Sequence, residues 1–129
     1  MTVSTILVAE DDPYIRRVTE VSLKRAGFQV RCVKDGLEAV EAFEQDSYDL
    51  LLIDGMMPRM DGIEATRRLR ADPRFAQVPI ILLSARSHQN DEDAARQAGA
   101  TGYIVKPFDA LTLADKIREI CAGITPVTP

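Results

Sequence analysis

Four short apolar runs in this sequence each end in residues whose side chains could carry acid, metal or phosphoryl chemistry. These end residues are Glu10 with Asp11, Asp54, Ser84 and Lys106. Runs of branched apolar residues are typical of buried parallel strands, whose carboxyl ends meet at one edge of a sheet. Each polar residue could instead be an isolated turn or helix cap, but independent caps would scatter over both edges. Convergence on one edge favours a single site.

The chemistry that this set could support is phosphoryl transfer assisted by a divalent cation. Three neighbouring carboxylates repel one another unless a cation lies among them, and hard cations such as Mg2+ or Mn2+ prefer oxygen ligands. We expect Asp11 and Asp54 to bind the metal directly and Glu10 to act through water. Lys106 and Ser84 would supply one cation and one neutral donor to a phosphoryl group. Asp54 is then the predicted nucleophile, which forms an acyl phosphate.

The elements that must position these residues alternate as strand and helix along the chain. Strands are predicted at residues 6–9, 28–33, 50–54, 80–84 and 103–105, and helices at 13–26, from 37, and at 63–71, 91–98 and 109–121. Asp12 before Pro13 is typical of an N-cap, and Gly27 of a helix end. The apolar face of the last helix is predicted to consist of Leu111, Leu113, Ala114, Ile117 and Ile120.

This alternation of strands and helices predicts an α/β fold, a doubly wound five-stranded parallel sheet flanked by five helices. With 129 residues, of which 46% are hydrophobic, the chain can build one ordinary core. We expect one domain over residues 1–123 and a flexible tail or the start of a linker at 124–129.

Composition excludes several classes of function. The net charge of -4, without a basic run, argues against direct nucleic-acid binding, and no apolar run reaches membrane-spanning length. Cys32 and Cys121 are isolated thiols without metal or redox spacing, and the N-terminus lacks a signal-peptide pattern. We therefore expect a cytoplasmic protein.

Four segments taken together resemble the receiver domain of bacterial two-component response regulators. The segments are residues 6–12, Asp54 with Met56-Met57-Pro58 and Asp61-Gly62, Ser84-Ala85, and residues 103–108. Each segment alone is a weak signal, but all four in this order and spacing are highly specific. The resemblance covers about residues 5–122 and implies the flavodoxin-like, CheY-like strand order 2-1-3-4-5.

The resemblance also implies a role for each matching residue. Asp54 matches the phosphoacceptor, Asp11 the acid that binds the metal directly, and Glu10 the second acid of the pair. Met56 would offer its backbone carbonyl to the metal, so its side chain is not implied in ligation. Lys106 matches the lysine that pairs with the acceptor and then with the phosphoryl group. Its bond to Pro107 is typically cis in this family.

Ser84 and Tyr103 match a switch pair. A phosphoryl group adds about -1.5 to -2 charge and three acceptor oxygens, which could draw the Ser84 hydroxyl inward and let Tyr103 rotate toward the core. The implied output is a population shift in the fourth helix, fifth strand and fifth helix. An ordinary strand tyrosine would not change on phosphorylation.

The implied partners are a histidine kinase or phosphotransfer protein, and a downstream protein or a tethered output domain. Family members often meet the kinase at the first helix, which here carries Arg16 and Arg17, although both are also consistent with a solvated face. Gly55 replaces the branched residue usual after the acceptor. Thr101-Gly102 stands where receivers that dimerise for winged-helix output carry acidic residues, which favours a stand-alone receiver or another output.

Two other classes of function remain open at this point. A metal-dependent phosphohydrolase could use Asp54 as nucleophile, but such enzymes commonly carry a second Asp where Met56 stands. A non-phosphorylated pseudo-receiver would lack the acid pair or Lys106, and both are present. We expect His88 in a solvated loop or helix start, and Arg86 with Met56 beside the path of hydrolytic water.

Overall fold

A computed structural model of the chain describes residues 3–57, 59–84 and 89–124. The predicted features at Pro58, Ala85, Arg86 and His88 lie outside these described residues, as does the tail from residue 125.

The sheet has five parallel strands in the order β2-β1-β3-β4-β5. The strands are β1 (Thr5–Ala9), β2 (Gln29–Val33), β3 (Leu50–Asp54), β4 (Ile80–Ser84) and β5 (Gly102–Val105). Strands that follow one another along the chain are joined through a helix on one face of the sheet or the other. The predicted doubly wound fold and its strand order are therefore confirmed.

Five helices cover the two faces of the sheet. They are α1 (Pro13–Arg25), α2 (Gly36–Gln45), α3 (Gly62–Ala71), α4 (Gln89–Ala98) and α5 (Leu113–Ile124), and a single 3₁₀ turn, Pro73–Phe75, follows α3. The first three begin at aspartate N-caps. The side chain of Asp12 accepts from the N–H groups of Tyr14 and Ile15, and Asp35 and Asp61 each cap their helix in the same way.

The core lies on both faces of the central strands, whose side chains alternate between two apolar clusters. Leu51 and Ile53 pack with the cluster under α2 and α3, whereas Leu50 and Leu52 pack with the cluster under α1 and α5. All four are fully buried, which stabilises the fold by about 1.5 to 3 kcal/mol for each side chain. This burial on both faces explains the continuous apolar run before Asp54.

The last helix differs from its prediction at both ends, and at the C-terminal end it continues to Ile124 rather than ending at 121. It begins at Leu113 rather than 109, because the Asp109 carboxylate accepts from the N–H of Leu111 at 2.8 Å and holds residues 109–112 in a turn. Leu111 is therefore 88% exposed, and its assignment to the apolar face was wrong. In the described part of the chain, none of the helices combines the length and apolar character that a membrane crossing needs.

Candidate functional site

The register of the sheet brings the polar strand ends together. Ala9 pairs with Ile53, so Glu10 and Asp54 follow at the same level on neighbouring strands. Ser84 pairs with Val105, which places Lys106 one position beyond the end of β5, at the same edge. The carboxyl edge of the sheet therefore carries the five residues that the sequence grouped as one site.

The acid pair and Asp54 form a compact carboxylate cluster. One carboxylate oxygen from each of Glu10, Asp11 and Asp54 lies within 4.8 Å of the others. Glu10 and Asp54 are buried and Asp11 is exposed, so the cluster opens to solvent on the Asp11 side. An all-oxygen donor set with a solvated side fits Mg2+, which binds one or two carboxylates and keeps several waters.

Lys106 lies over this cluster and bridges its two buried carboxylates. Its Nζ donates to Oε1 of Glu10 at 2.6 Å and to Oδ2 of Asp54 at 2.9 Å. The pKa of Lys106 is raised because the hydrogen bonds and charges of these two acids outweigh the effect of burial. The Lys106–Pro107 peptide bond is cis, as the resemblance implies.

Glu10 is the site residue whose ionisation is most perturbed by its surroundings. Its side chain is 1% exposed, and this burial raises its pKa to about 7, although the hydrogen bond from Lys106 opposes the shift. The negative charge of Asp54 raises the pKa further. Without a metal ion, Glu10 therefore exchanges a proton near neutral pH.

Asp54 ends β3 with both carboxylate oxygens accepting hydrogen bonds. Oδ1 accepts from the backbone N–H of Met56 at 3.2 Å, while Oδ2 accepts from Lys106. The Met56 side chain itself is 82% exposed and lies in the loop between β3 and α3. Behind the Asp54 side chain, Gly62 packs so closely on the Asp54 carbonyl that a Cβ at that position would collide with it.

The predicted switch pair occupies the neighbouring strands. Ser84 is half-buried at the end of β4, and its carbonyl accepts the backbone N–H of Lys106. Tyr103 is half-buried in β5, where it packs against the cluster under α2 and α3. Tyr103 thus already contacts the core toward which the resemblance implies a movement.

Two arginines near the site make contacts that the sequence analysis did not predict. Arg16 is half-buried rather than solvated, and its guanidinium donates to the carbonyls of Glu10 at 2.9 Å and Asp11 at 3.5 Å. Arg59, in the loop between β3 and α3, donates to the buried carboxylate of Asp35 at 2.8 Å. Side chains of helical residues lean toward the helix N-terminus, which was the available signal for Arg16.

Comparisons with known proteins agree with this geometry. The family model described as the response regulator receiver domain matches residues 6–118. The transcriptional regulatory protein CseB of Streptomyces coelicolor is 41% identical over 115 residues, which are 89% of this chain and 48% of that protein. The chain thus spans about half the length of the curated relatives it matches.

Solved structures give the same result. The chemotaxis response regulator CheY4 of Vibrio cholerae superposes with a TM-score of 0.87 at 28% identity, covering 92% of this chain and 99% of that one. The receiver domain of sensor histidine kinase PA1611 of Pseudomonas aeruginosa gives a TM-score of 0.81 at 37% identity, over 94% and 97% of the two chains. That structure holds a magnesium ion in its active-site cleft.

Proposed function

Because the chain belongs to the response regulator receiver domain family of two-component systems, we propose that Asp54 accepts a phosphoryl group from a histidine kinase or phosphotransfer protein. An Asp54 oxygen attacks the phosphorus of a phosphohistidine, the P–N bond breaks, and the imidazole leaves with its electron pair. A small phosphodonor such as acetyl phosphate can replace the protein donor.

One observation carries the proposal: Lys106 donates to the acceptor Asp54 while three carboxylates, including Asp54, cluster within 4.8 Å. Asp11 and Asp54 would hold Mg2+ or Mn2+ directly, Glu10 through water, and Met56 through its backbone carbonyl. The metal, when bound, supplies positive charge to the transferring phosphoryl oxygens. Lys106 supplies a second cation, which passes from the free carboxylate to the phosphoryl group.

The signal would leave the site through Ser84 and Tyr103. The Ser84 hydroxyl lies at the correct strand end to donate to a phosphoryl oxygen, and its displacement would open room for Tyr103. The resulting population shift in α4, β5 and α5 would control a partner or an output domain.

The surface that meets the donor is proposed to be the groove between α1 and the turn before α5. Tyr14 and Leu111 are 76% and 88% exposed and line this apolar groove with Val18. Arg17 and Arg25 also line it. An apolar strip beside two cations fits a helical phosphodonor domain of a histidine kinase whose own apolar contact surface is flanked by acidic residues.

The relatives favour transcriptional control as the output. Two of the matched relatives are named transcriptional regulatory protein CseB and a third is named an uncharacterized transcriptional regulatory protein, and the matched segment is about half of each. In the sequence, Thr101 favours a stand-alone receiver or another output. Its hydroxyl also has a local role, because it accepts from Arg70 at 3.1 Å and from the N–H of Ile80 at 3.0 Å.

The decisive experiment is intact mass spectrometry after incubation with acetyl phosphate and Mg2+. A gain of about 80 Da, the mass of one phosphoryl group, is expected in the native chain and absent in Asp54→Ala or without metal. Steady hydrolysis of an external phosphoester without self-labelling would favour a phosphohydrolase. Absence of both, at quench times of seconds, would favour a pseudo-receiver that only binds proteins.

A further inference from the structure

We define the acceptor loop as residues 55–57 and 59–61. Backbone hydrogen bonds hold this loop at both ends. Gly62 donates its N–H to the carbonyl of Gly55 at 3.2 Å, and Gly36 donates to the carbonyl of Met60 at 3.0 Å. At Gly36 a Cβ would collide with that Met60 carbonyl. The N-terminus of α2 therefore packs directly against the far end of the acceptor loop.

Arg59 holds the middle of the same loop in an unusual conformation. Its φ is 66°, and it is the one non-glycine residue with positive φ in the described part of the chain. A left-handed backbone at a residue with a Cβ is strained and persists where surrounding contacts enforce it.

Arg59 in this conformation makes an ion pair with the N-cap of α2. Arg59 Nε lies 2.8 Å from Oδ2 of Asp35, and its guanidinium also lies 3.7 Å from Oε2 of Glu38. Asp35 is 6% exposed and also accepts from the N–H of Glu38 at 2.9 Å. One buried carboxylate thus fixes the start of α2 and the middle of the acceptor loop together.

We propose that Arg59 is a positioning residue for metal binding, which acts by anchoring the acceptor loop to Asp35. The inference rests on the proposed function, because the loop carries Met56, whose backbone carbonyl is the proposed metal ligand. Preorganised ligands bind a metal more tightly than mobile ones, and partners outside the ligand set commonly change affinity by large factors.

If Arg59 and Asp35 acted on metal binding only through their charges, removing one would have the opposite effect to removing the other. Removing the Arg59 cation near a divalent ion would tighten metal binding, whereas removing the Asp35 anion would weaken it. Anchoring predicts that both removals weaken binding, and to the same extent, because each breaks the same contact. The sign of the Arg59 effect therefore separates the two explanations.

The experiment measures Mn2+ affinity by electron paramagnetic resonance and Mg2+ affinity by the amide shift of Gly55 in nuclear magnetic resonance spectra. The variants are Arg59→Asn, which tolerates the left-handed conformation, Asp35→Asn, which still caps a helix, and the double variant. Arg59→Lys tests rescue by a smaller cation. Arg74→Asn is the matched control, because Arg74 also pairs with an aspartate N-cap, Asp72, at an exposed position.

We expect both single variants to weaken metal binding by about three- to tenfold, the double variant to be no weaker than either, and Lys to recover part of the loss. Amide hydrogen exchange should accelerate in the acceptor loop of the same variants, and Arg74→Asn should change neither measurement. Unchanged or tighter binding in Arg59→Asn, or additive losses, would overturn the inference while leaving the proposed function intact. A native chain that binds neither metal would instead overturn the proposed function, and this inference with it.

Discussion

The Nζ atom of Lys106 lies 2.6 Å from Oε1 of Glu10, although 96 positions separate the two residues in the chain. The same ammonium group lies 2.9 Å from Asp54, so one half-buried cation compensates two buried carboxylates. A divalent ion would bring more positive charge to the same acids. Lysine and a bound metal would therefore stabilise the same cluster, and the protein should depend more strongly on Lys106 when the metal is absent.

Replacing Lys106 tests this dependence. Lys106→Met should lower the free energy of unfolding without metal by about 3 kcal/mol, because it leaves two buried carboxylates without their cation. Saturating Mg2+ should restore more stability to the variant than it adds to the native chain. Urea unfolding with and without Mg2+ measures both effects, with Lys116→Met on the exposed side of α5 as the control. An equal loss at saturating metal would contradict the prediction.

Glu10 should give the metal-free protein an unusual dependence on pH. Its pKa is raised from 4.5 to about 7 in the folded state, so between these values the folded state holds a proton that the unfolded state has lost. Stability must then fall as pH rises through this window, by an amount on the order of 1 to 3 kcal/mol.

The measurement is the free energy of unfolding in urea at several pH values between 4.5 and 7.5, in the native chain and in Glu10→Gln. The variant should lack the downward slope, whereas the exposed Glu41→Gln should keep it. Asp35 and Asp49 do not interfere, because their pKa values are lowered and their contributions are lost only at lower pH. A native profile that is flat or rises across this range would refute the assignment.

Most of the fold followed from local patterns, and the reason is visible at particular residues. The run before Asp54 is buried on both faces, and Asp12 forms the cap that its position before Pro13 indicates. The prediction for Leu111 was wrong because a hydrogen bond from its N–H to the Asp109 carboxylate makes the last helix begin later in the chain. Such local competition is not encoded in hydrophobic periodicity.

The site was predictable to the level of which strand ends converge, but not in its connecting contacts. Parallel strands determine that Glu10, Asp54 and Lys106 share an edge. The hydrogen bond that Lys106 donates to Glu10 and those that Arg16 and Arg59 donate were not predicted. They depend on where long side chains reach after folding. Arginine spacing alone is equally typical of a solvated helix face.

Two glycines beside Asp54 should respond to alanine in opposite directions. A Cβ at Gly55 would lie 3.5 Å from the Leu83 carbonyl, an ordinary contact, so Gly55→Ala should stabilise the protein by about 0.5 kcal/mol. Gly62→Ala should destabilise it by about 2 to 4 kcal/mol and slow labelling of Asp54, because the new Cβ collides with the Asp54 carbonyl.

Urea unfolding and acetyl phosphate labelling check both variants. Helix propensity alone gives Gly62→Ala the opposite sign, because alanine in a helix is favoured over glycine by up to about 1 kcal/mol. A more stable Gly62→Ala protein would show that the close approach to Asp54 relaxes without penalty.

The groove between α1 and the turn before α5 should matter for the protein donor and not for a small one. Leu111→Glu places a charge in the apolar strip. With a histidine kinase that phosphorylates the native chain, the variant should accept the phosphoryl group about tenfold more slowly, or slower still. Labelling by acetyl phosphate should not change, because Leu111 is exposed and outside the carboxylate cluster. Lys116→Met serves as the surface control, and equal kinase transfer in both variants would argue against this docking surface.

Arg70 joins three segments: the 3₁₀ turn at Phe75, the residues before β4, and the turn that leads into β5. Its guanidinium donates to the carbonyls of Gly99 at 2.8 Å, Phe75 at 2.9 Å and Val78 at 2.6 Å, and to the hydroxyl of Thr101 at 3.1 Å. These acceptors are all neutral, and burial lowers the pKa of Arg70. Only a planar group with several N–H donors can satisfy so many carbonyls at once.

Arg70→Lys should therefore destabilise the protein almost as much as Arg70→Met, by about 2 to 3 kcal/mol, since neither replacement reaches all four acceptors. Amide exchange should accelerate most at residues 99–101, in the turn that leads into β5 and Tyr103, whereas exchange in β1 and β3 should follow only the global loss. Arg67→Met on the exposed side of α3 is the matched control, with an expected change below about 0.5 kcal/mol. If Arg70→Lys preserved both the free energy of unfolding and the slow amide exchange of this turn, a single positive charge would be sufficient to hold these segments, and the planar guanidinium would not be required.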